Sequence, residues 1–151
     1  MRRFNVLTDA LEDSSERAGF RWRGVRGIGG RLGAESIGAS VYELAEGELT
    51  FPYHYHHGVE EWIYVLTGAP QLRTPEGRRT LAPGELVRFA SGPAGAHSVR
   101  GPGRIVMFSA NRVPSISVYP DSGKVGTRVG PEAADRLDFL RADAVDYWEG
   151  E

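Results

Sequence analysis

Cysteine is absent from the 151 residues of this chain. No disulfide, thiolate ligand or cysteine nucleophile is therefore available. Long apolar runs are missing too: no stretch approaches the ~20 residues of a membrane-spanning helix. The N-terminus, MRRFNVLTDALEDSS, starts basic but has no apolar core and soon turns acidic, so it does not read as a signal peptide. With the missing cysteines this fits a reducing compartment, and the expectation is a cytoplasmic protein with no membrane partner. A positive charge surplus is also lacking. The formal net charge of −2 supplies no overall field to draw the chain to nucleic acid.

What is plentiful is glycine, at 20 residues beside nine prolines. Frequent turns favour an all-β fold of short strands, and the length suits one core. Strand-like runs are Ser36–Leu44, Leu49–His56, Glu61–Leu66, Pro70–Arg73, Arg78–Leu81, Glu85–Phe89, His97–Arg100, Arg104–Ala110 and Ser115–Tyr119. Turn signals such as Pro75-Glu76-Gly77 and Pro83-Gly84 separate them. Strands spaced at roughly ten residues indicate a sandwich or barrel.

The flanks read differently. Residues 1–34 are expected as an N-terminal arm, with a short helix capped near Thr8 or Asp9. Within it Arg21, Arg23 and Arg26 alternate with Phe20, Trp22 and Val25. Such a stripe can stack on nucleic acid, but the acidic net charge favours an edge strand with solvated arginines and packed aromatics. Gly27, Gly29, Gly30 and Gly33 lack the Lys-Ser/Thr ending of a phosphate loop and read as a flexible loop. Residues 35–119 form the barrel candidate. In 120–151, Pro131 and the following acids predict a short helix over PEAADRLDFLRAD. Val145, Tyr147 and Trp148 then predict a tail that docks on the barrel or on a partner subunit. The pairs Arg2-Arg3 and Arg78-Arg79 read as solvated charge.

The chemistry concentrates in GELTFPYHYHHGVEEWIYVLTG, Gly47 to Gly68, which holds three of the four histidines. Alternation in a strand puts His54 and His56 on one face and His57 on the other. Gly58 allows a reversal, and a hairpin would return Glu61 beside the two imidazoles. Two neutral nitrogens and a carboxylate suit a borderline divalent metal. His97, after GPAGA, can supply a third imidazole. His57 is expected exposed and Glu60 solvated. The same alternation turns Pro52, Ile63, Val65, Val87, Phe89 and Val99 toward a mostly apolar cup. Tyr42, Tyr64 and Arg88 enter it only if a strand phase differs.

His54-x-His56-x4-Glu61-x6-Gly68 resembles the first motif of the cupin superfamily. LAPGELVRF from Leu81, followed by Pro93-x-Gly95-x-His97, resembles the second. The resemblance covers about residues 36–119. PYHYHHGVEEW, RTPEGRRTLAPGE, VYPDSGKVG and the terminal DYWEG are further similar to small, single-domain bacterial cupins of unassigned function. The resemblance implies a jelly-roll (double-stranded β-helix) barrel with His54, His56, Glu61 and His97 as metal ligands. It leaves the ion open among manganese, iron, zinc and nickel. It implies a small-molecule ligand or substrate, and a homodimer for which Trp22, Trp62, Tyr147 and Trp148 are candidate anchors. Two functions remain open: a metal-dependent dioxygenase, decarboxylase or isomerase, and a non-catalytic module that binds or senses a small ligand. These ligands do not select among the reactions.

Overall fold

The structure is a computed structural model, which describes residues 1–130 and 132–151. Its largest sheet has six antiparallel strands: β1 (Asp13–Arg17), β2 (Phe20–Val25), β3 (Ile37–Leu44), β10 (Gly103–Ala110), β5 (Glu61–Gly68) and β8 (Leu86–Phe89), in that spatial order. Two smaller sheets complete the jelly roll. One orders β13 (Arg136–Leu140), β12 (Lys124–Arg128), β11 (Ser115–Tyr119) and β4 (Tyr55–His57); the other orders β7 (Gly77–Thr80), β6 (Gln71–Thr74) and β9 (Ser98–Arg100). Bridges at Leu49–Arg100 and His54–His97 join the segment before β4 to β9, so the smaller sheets run into one another.

The alternation of apolar residues explains the core. Tyr42, Leu44, Ile63, Val65, Leu72, Leu81, Val99 and Ile105 are all nearly solvent-free and pack together between the layers. Full burial of each aliphatic side chain contributes about 1.5–3 kcal/mol. Val41 and Val106 point to the opposite face of the large sheet. There Val25, Ile28, Phe4, Val6 and Leu11 cover them.

Several expectations change. Leu49–His56 and Glu61–Leu66 do not form a hairpin. β4 pairs with β11, whereas β5 lies between β10 and β8 in the other layer. Only Gly58, Val59 and Glu60 lie between the end of β4 and Glu61, and across them the chain changes sheets rather than reversing in place. Residues 1–34, expected as an arm, contribute β1 and β2 to the large sheet. β2 pairs with both β1 and β3, so it is not an edge strand. Its arginines Arg21 and Arg23 are exposed and Trp22 is buried, as the alternation predicted. Trp22 is thus a core residue, not an interface anchor.

No helix forms at Thr8 or Asp9, where Asn5 instead caps a turn by accepting from the N–H groups of Leu7 and Thr8. The glycine-rich segment read as a loop holds the short helix α1 (Ile28–Leu32), ended by Gly33 in the left-handed conformation. At the C-terminus the expected helix is replaced by β13. The start of that expected helix at Pro131 lies outside the described residues. Backbone pairing of β13 along β12 overrides the local helical signals of Arg136 to Leu140, and what remains of them is a single 3-10 turn on each side. Tyr147 and Trp148 are exposed and pack edge-to-face on each other, so the tail is not docked on the barrel. Among the described residues no helix is long and apolar enough to cross a membrane.

Candidate metal centre

Glu61 begins β5, which lies between β10 and the edge strand β8 of the large sheet, opposite Ser109 on β10 and Phe89 on β8. His54 and His97 exchange backbone hydrogen bonds of 3.1 and 2.8 Å, which fixes their side chains as neighbours. His56 lies on β4 opposite Ser117 of β11. The inner face of one layer therefore presents the carboxylate, and the other layer presents the imidazoles.

The donor atoms converge. Glu61 Oε2 lies 3.1 Å from His56 Nε2, 3.4 Å from His97 Nε2 and 3.9 Å from His54 Nε2. Metal–nitrogen and metal–oxygen bonds of about 2.0–2.2 Å set donors roughly 3 to 4 Å apart around a shared ion. His54, His56 and Glu61 form a group, each offering one ligand atom within 4.8 Å of the others, that could hold a metal. His97 Nε2 approaches the same carboxylate oxygen from a position 2% exposed.

The outer ring nitrogens are all engaged. His54 Nδ1 lies 2.8 Å from the Pro52 carbonyl and His97 Nδ1 lies 2.9 Å from the Gly95 carbonyl. A carbonyl only accepts, so these Nδ1 atoms carry the proton and Nε2 offers a lone pair. His56 Nδ1 lies 3.0 Å from Ser117 Oγ. Burial, helped by the neighbouring imidazoles His97 and His56, lowers the His54 pKa to about 4. Burial lowers His97 as well. For Glu61 burial acts upward, but the facing imidazoles, His56 foremost, outweigh it and hold the carboxyl below its ordinary value. The Nε2 atoms of His54 and His97 thus turn their lone pairs toward the carboxylate. His56 Nε2, Glu61 Oε2 and His97 Nε2 are buried with no hydrogen-bond partner. The residues present therefore fit a divalent cation: it would satisfy all three orphaned atoms at once.

Supporting contacts hold the rings in place. Phe89 stacks on His97 with centroids 3.7 Å apart, and Tyr119 stacks on His54 at 5.8 Å. Gly95 makes the GPAGA turn possible, because a Cβ there would overlap the Ala90 carbonyl. As expected, His57 and Glu60 are exposed. Glu60 pairs with Arg88 at 2.9 Å.

The histidine group opens into a cavity of about 930 Å³. Pro52 lines it, as expected, but Ile63, Val65 and Val99 are core residues sealed beneath it. The cavity is more polar than the apolar cup that alternation suggested: Ser15, Ser40, Ser109 and Asn111 line it with Tyr42 and Tyr119. Tyr42 enters it from β3, while Tyr64 and Arg88 face outward. Burial pushes the Tyr42 phenol above its ordinary value, against the lowering effects of Ser40 and Arg26. Ser117 and Tyr119 escaped sequence reasoning because their role depends on which strand pairs with β4, which local pattern does not encode.

Residues 40–110 match the cupin domain family. No curated protein sequence matches the chain significantly. Among solved structures, the chain is similar to a candidate sugar phosphate isomerase from Acidithiobacillus ferrooxidans ATCC 23270. Identity is 25% and the TM-score 0.74, over 84% of this chain and 81% of that one. It is similar in fold to a sugar phosphate isomerase of the cupin superfamily from Silicibacter pomeroyi DSS-3, at 19% identity and TM-score 0.72, over 82% and 78% of the two chains. It is also similar in fold to the polyketide cyclase RemF from Streptomyces resistomycificus, at 23% identity and TM-score 0.56, over 76% and 83%.

Proposed function

Because the chain is a member of the cupin superfamily, with its cupin domain at residues 40–110, we propose that it is a divalent-metal protein that acts on a small polar organic molecule. In this reading His54, His56 and His97 through Nε2, and Glu61 through its carboxylate, hold the ion. The observation that carries it is the trio of buried, unpartnered atoms at one point, with imidazole lone pairs facing a carboxylate. Without a cation that arrangement sets acceptor against acceptor in a dry site, at a cost of a few kcal/mol per orphaned group.

When bound, the metal supplies Lewis acidity toward a substrate oxygen. The chain supplies the rest. Pro52 and Gly95 carbonyls and Ser117 Oγ orient the rings. Tyr42, its phenol proton retained by burial, offers a hydrogen-bond donor in the same cavity. Among the reactions open to such a site we favour isomerisation of a hydroxy-carbonyl compound. The similarity to the candidate sugar phosphate isomerase from Acidithiobacillus ferrooxidans, across most of both chains, supports that choice. It also needs no co-reactant.

The test is turnover. Metal-loaded protein is incubated with a panel of aldoses, ketoses and their phosphates, and interconversion is followed by NMR. A parallel arm records oxygen uptake by iron-loaded protein with catechols and diketones. Isomerised product from the loaded but not the chelated protein supports the proposal. Oxygen consumption in place of isomerisation overturns the reaction class. A ligand-dependent melting shift with no turnover supports instead the non-catalytic binding module.

A further inference from the structure

Ser117 of β11 and His56 of β4 point to the inner face of their sheet, where the hydroxyl meets the ring. Their neighbours along each strand therefore point outward. The pairing registers set these outward residues in two rows across the four strands. Tyr55, Val118, Val125 and Phe139 make one row. His57, Ile116, Thr127 and Leu137 make the other. Neither row contains an acid, a lysine or an arginine. Leu137 is 63% exposed, Phe139 47% and Ile116 39%. Every position of β13 is exposed.

The C-terminal tail leaves from one end of this face. The Arg141 N–H donates to the Gly123 carbonyl at 2.8 Å, which continues the pairing of β13 by one residue. Beyond it Val145, Tyr147 and Trp148 are 66, 82 and 72% exposed, and the two rings pack on each other. With Ile116, Leu137 and Phe139 they offer roughly 800 Å² of accessible surface, at about 150–250 Å² for a whole aromatic side chain. The largest apolar patch of a typical monomer is about 300–600 Å². One partner of a stable pair contributes about 800 Å². The area is that of an interface.

The charges indicate the partner. The tail carries Asp143, Asp146, Glu149 and Glu151 against Arg141 alone, which disfavours nucleic acid or an anionic membrane. Arg112 lies at the opposite end of the face, in the loop before β11. It is exposed and forms no ion pair among the described residues. Val113 beside it is 44% exposed. A two-fold axis that runs across the strands, between two such faces, exchanges their ends. Each acidic tail then meets the other copy's Arg112 end, and the rows meet without like-charge repulsion.

We propose that this sheet face and the Tyr147–Trp148 tail form a two-fold interface with the same surface of a second copy of the chain. The two sheets pack face to face with their strands within about 30° of each other. Tyr147 and Trp148 are the aromatic anchors at its margin. The histidines and their cavity belong to the inner face, so the interface does not depend on the metal-site reading.

The test is sedimentation velocity over a dilution series of the full chain, of Ile116→Glu, of Leu137→Glu and of the double variant Tyr147→Ser, Trp148→Ser. Wild type should sediment as a dimer. Each glutamate variant sets two like charges across the axis, and each of the three variants should weaken the dimer at least about tenfold. Circular dichroism and thermal melting check the fold. The tail is not docked on the barrel, so the double variant keeps the fold and decides the matter should a glutamate variant unfold. A wild type that is monomeric at every concentration overturns the proposal. Flotation of that monomer with neutral phosphatidylcholine vesicles would assign the face to lipid instead. Variants that dimerise like wild type place the contact elsewhere and overturn it too. A dimer that survives Ile116→Glu but not Leu137→Glu overturns face-to-face packing in favour of edge pairing through β13.

Discussion

Glu61 Oε2 and His97 Nε2 lie 3.4 Å apart although β5 and β9 belong to different sheets of the barrel. This contact closes the two layers over one point. An ion held there, as proposed, would cross-link the two layers, with consequences for stability as well as chemistry.

Binding of a divalent ion should raise the melting temperature. Ligand at a hundredfold excess over its dissociation constant stabilises by about 2.7 kcal/mol. For a domain of this size that shift corresponds to roughly 5–10 °C. Calorimetric scans before and after dialysis against a chelator measure it. Identical melting in both states would mean that the layers are not bridged by an ion.

Ser117→Ala should weaken metal binding by about 10- to 100-fold, the usual effect of removing a group that orients a ligand. The fold should survive, because the hydroxyl contacts His56 Nδ1 at 3.0 Å and its removal leaves backbone pairing intact. Competition against a chromogenic chelator gives the affinity. An unchanged value would show that Ser117 does not hold His56.

Gly95→Ala should both destabilise the protein and loosen the site. The new Cβ would overlap the Ala90 carbonyl, so the turn must shift, at a cost of about 1–3 kcal/mol. That shift moves the carbonyl that holds His97 Nδ1. Denaturant unfolding and metal affinity should fall together. Loss of stability with full metal affinity would separate the turn from the site.

The Arg136 partner holds the Asp138 carboxyl below its ordinary value of 3.8. A carboxyl lowered in the fold stabilises it above the unfolded pKa, and that contribution is lost as pH falls through the folded value. Asp138→Asn should therefore be less stable than wild type at neutral pH, and the difference should shrink in acid. The pair is largely exposed, so the effect is small and screened by salt. A difference that persists unchanged in strong acid would assign the loss to packing instead.

Much of this site was legible before any coordinates. His54, His56, Glu61 and His97 stand out by residue type and spacing, and the cupin resemblance groups them. The route by which they meet was not legible. Alternation suggested a hairpin from His56 to Glu61, but the intervening chain crosses between layers, and β4 finds β11 instead. Pairing partners distant in sequence are a tertiary choice that a local pattern does not carry. The same reason hid Ser117 and Tyr119. At β13, Pro131 and nearby acids signalled a helix, yet the open edge of β12 offered a ladder that outweighed local propensity. Alternation admits Tyr42 to the pocket only if a strand phase differs, and β3 does turn it into the cavity beside Trp22 and Phe51.

The most direct measurement is anomalous diffraction from crystals of metal-loaded protein, with metal content determined on the same preparation and on His97→Ala. The account predicts one ion per chain, within about 2.0–2.3 Å of the three Nε2 atoms and the Glu61 carboxylate, and its loss in the variant. An anomalous peak elsewhere, or full metal content in His97→Ala, would contradict it.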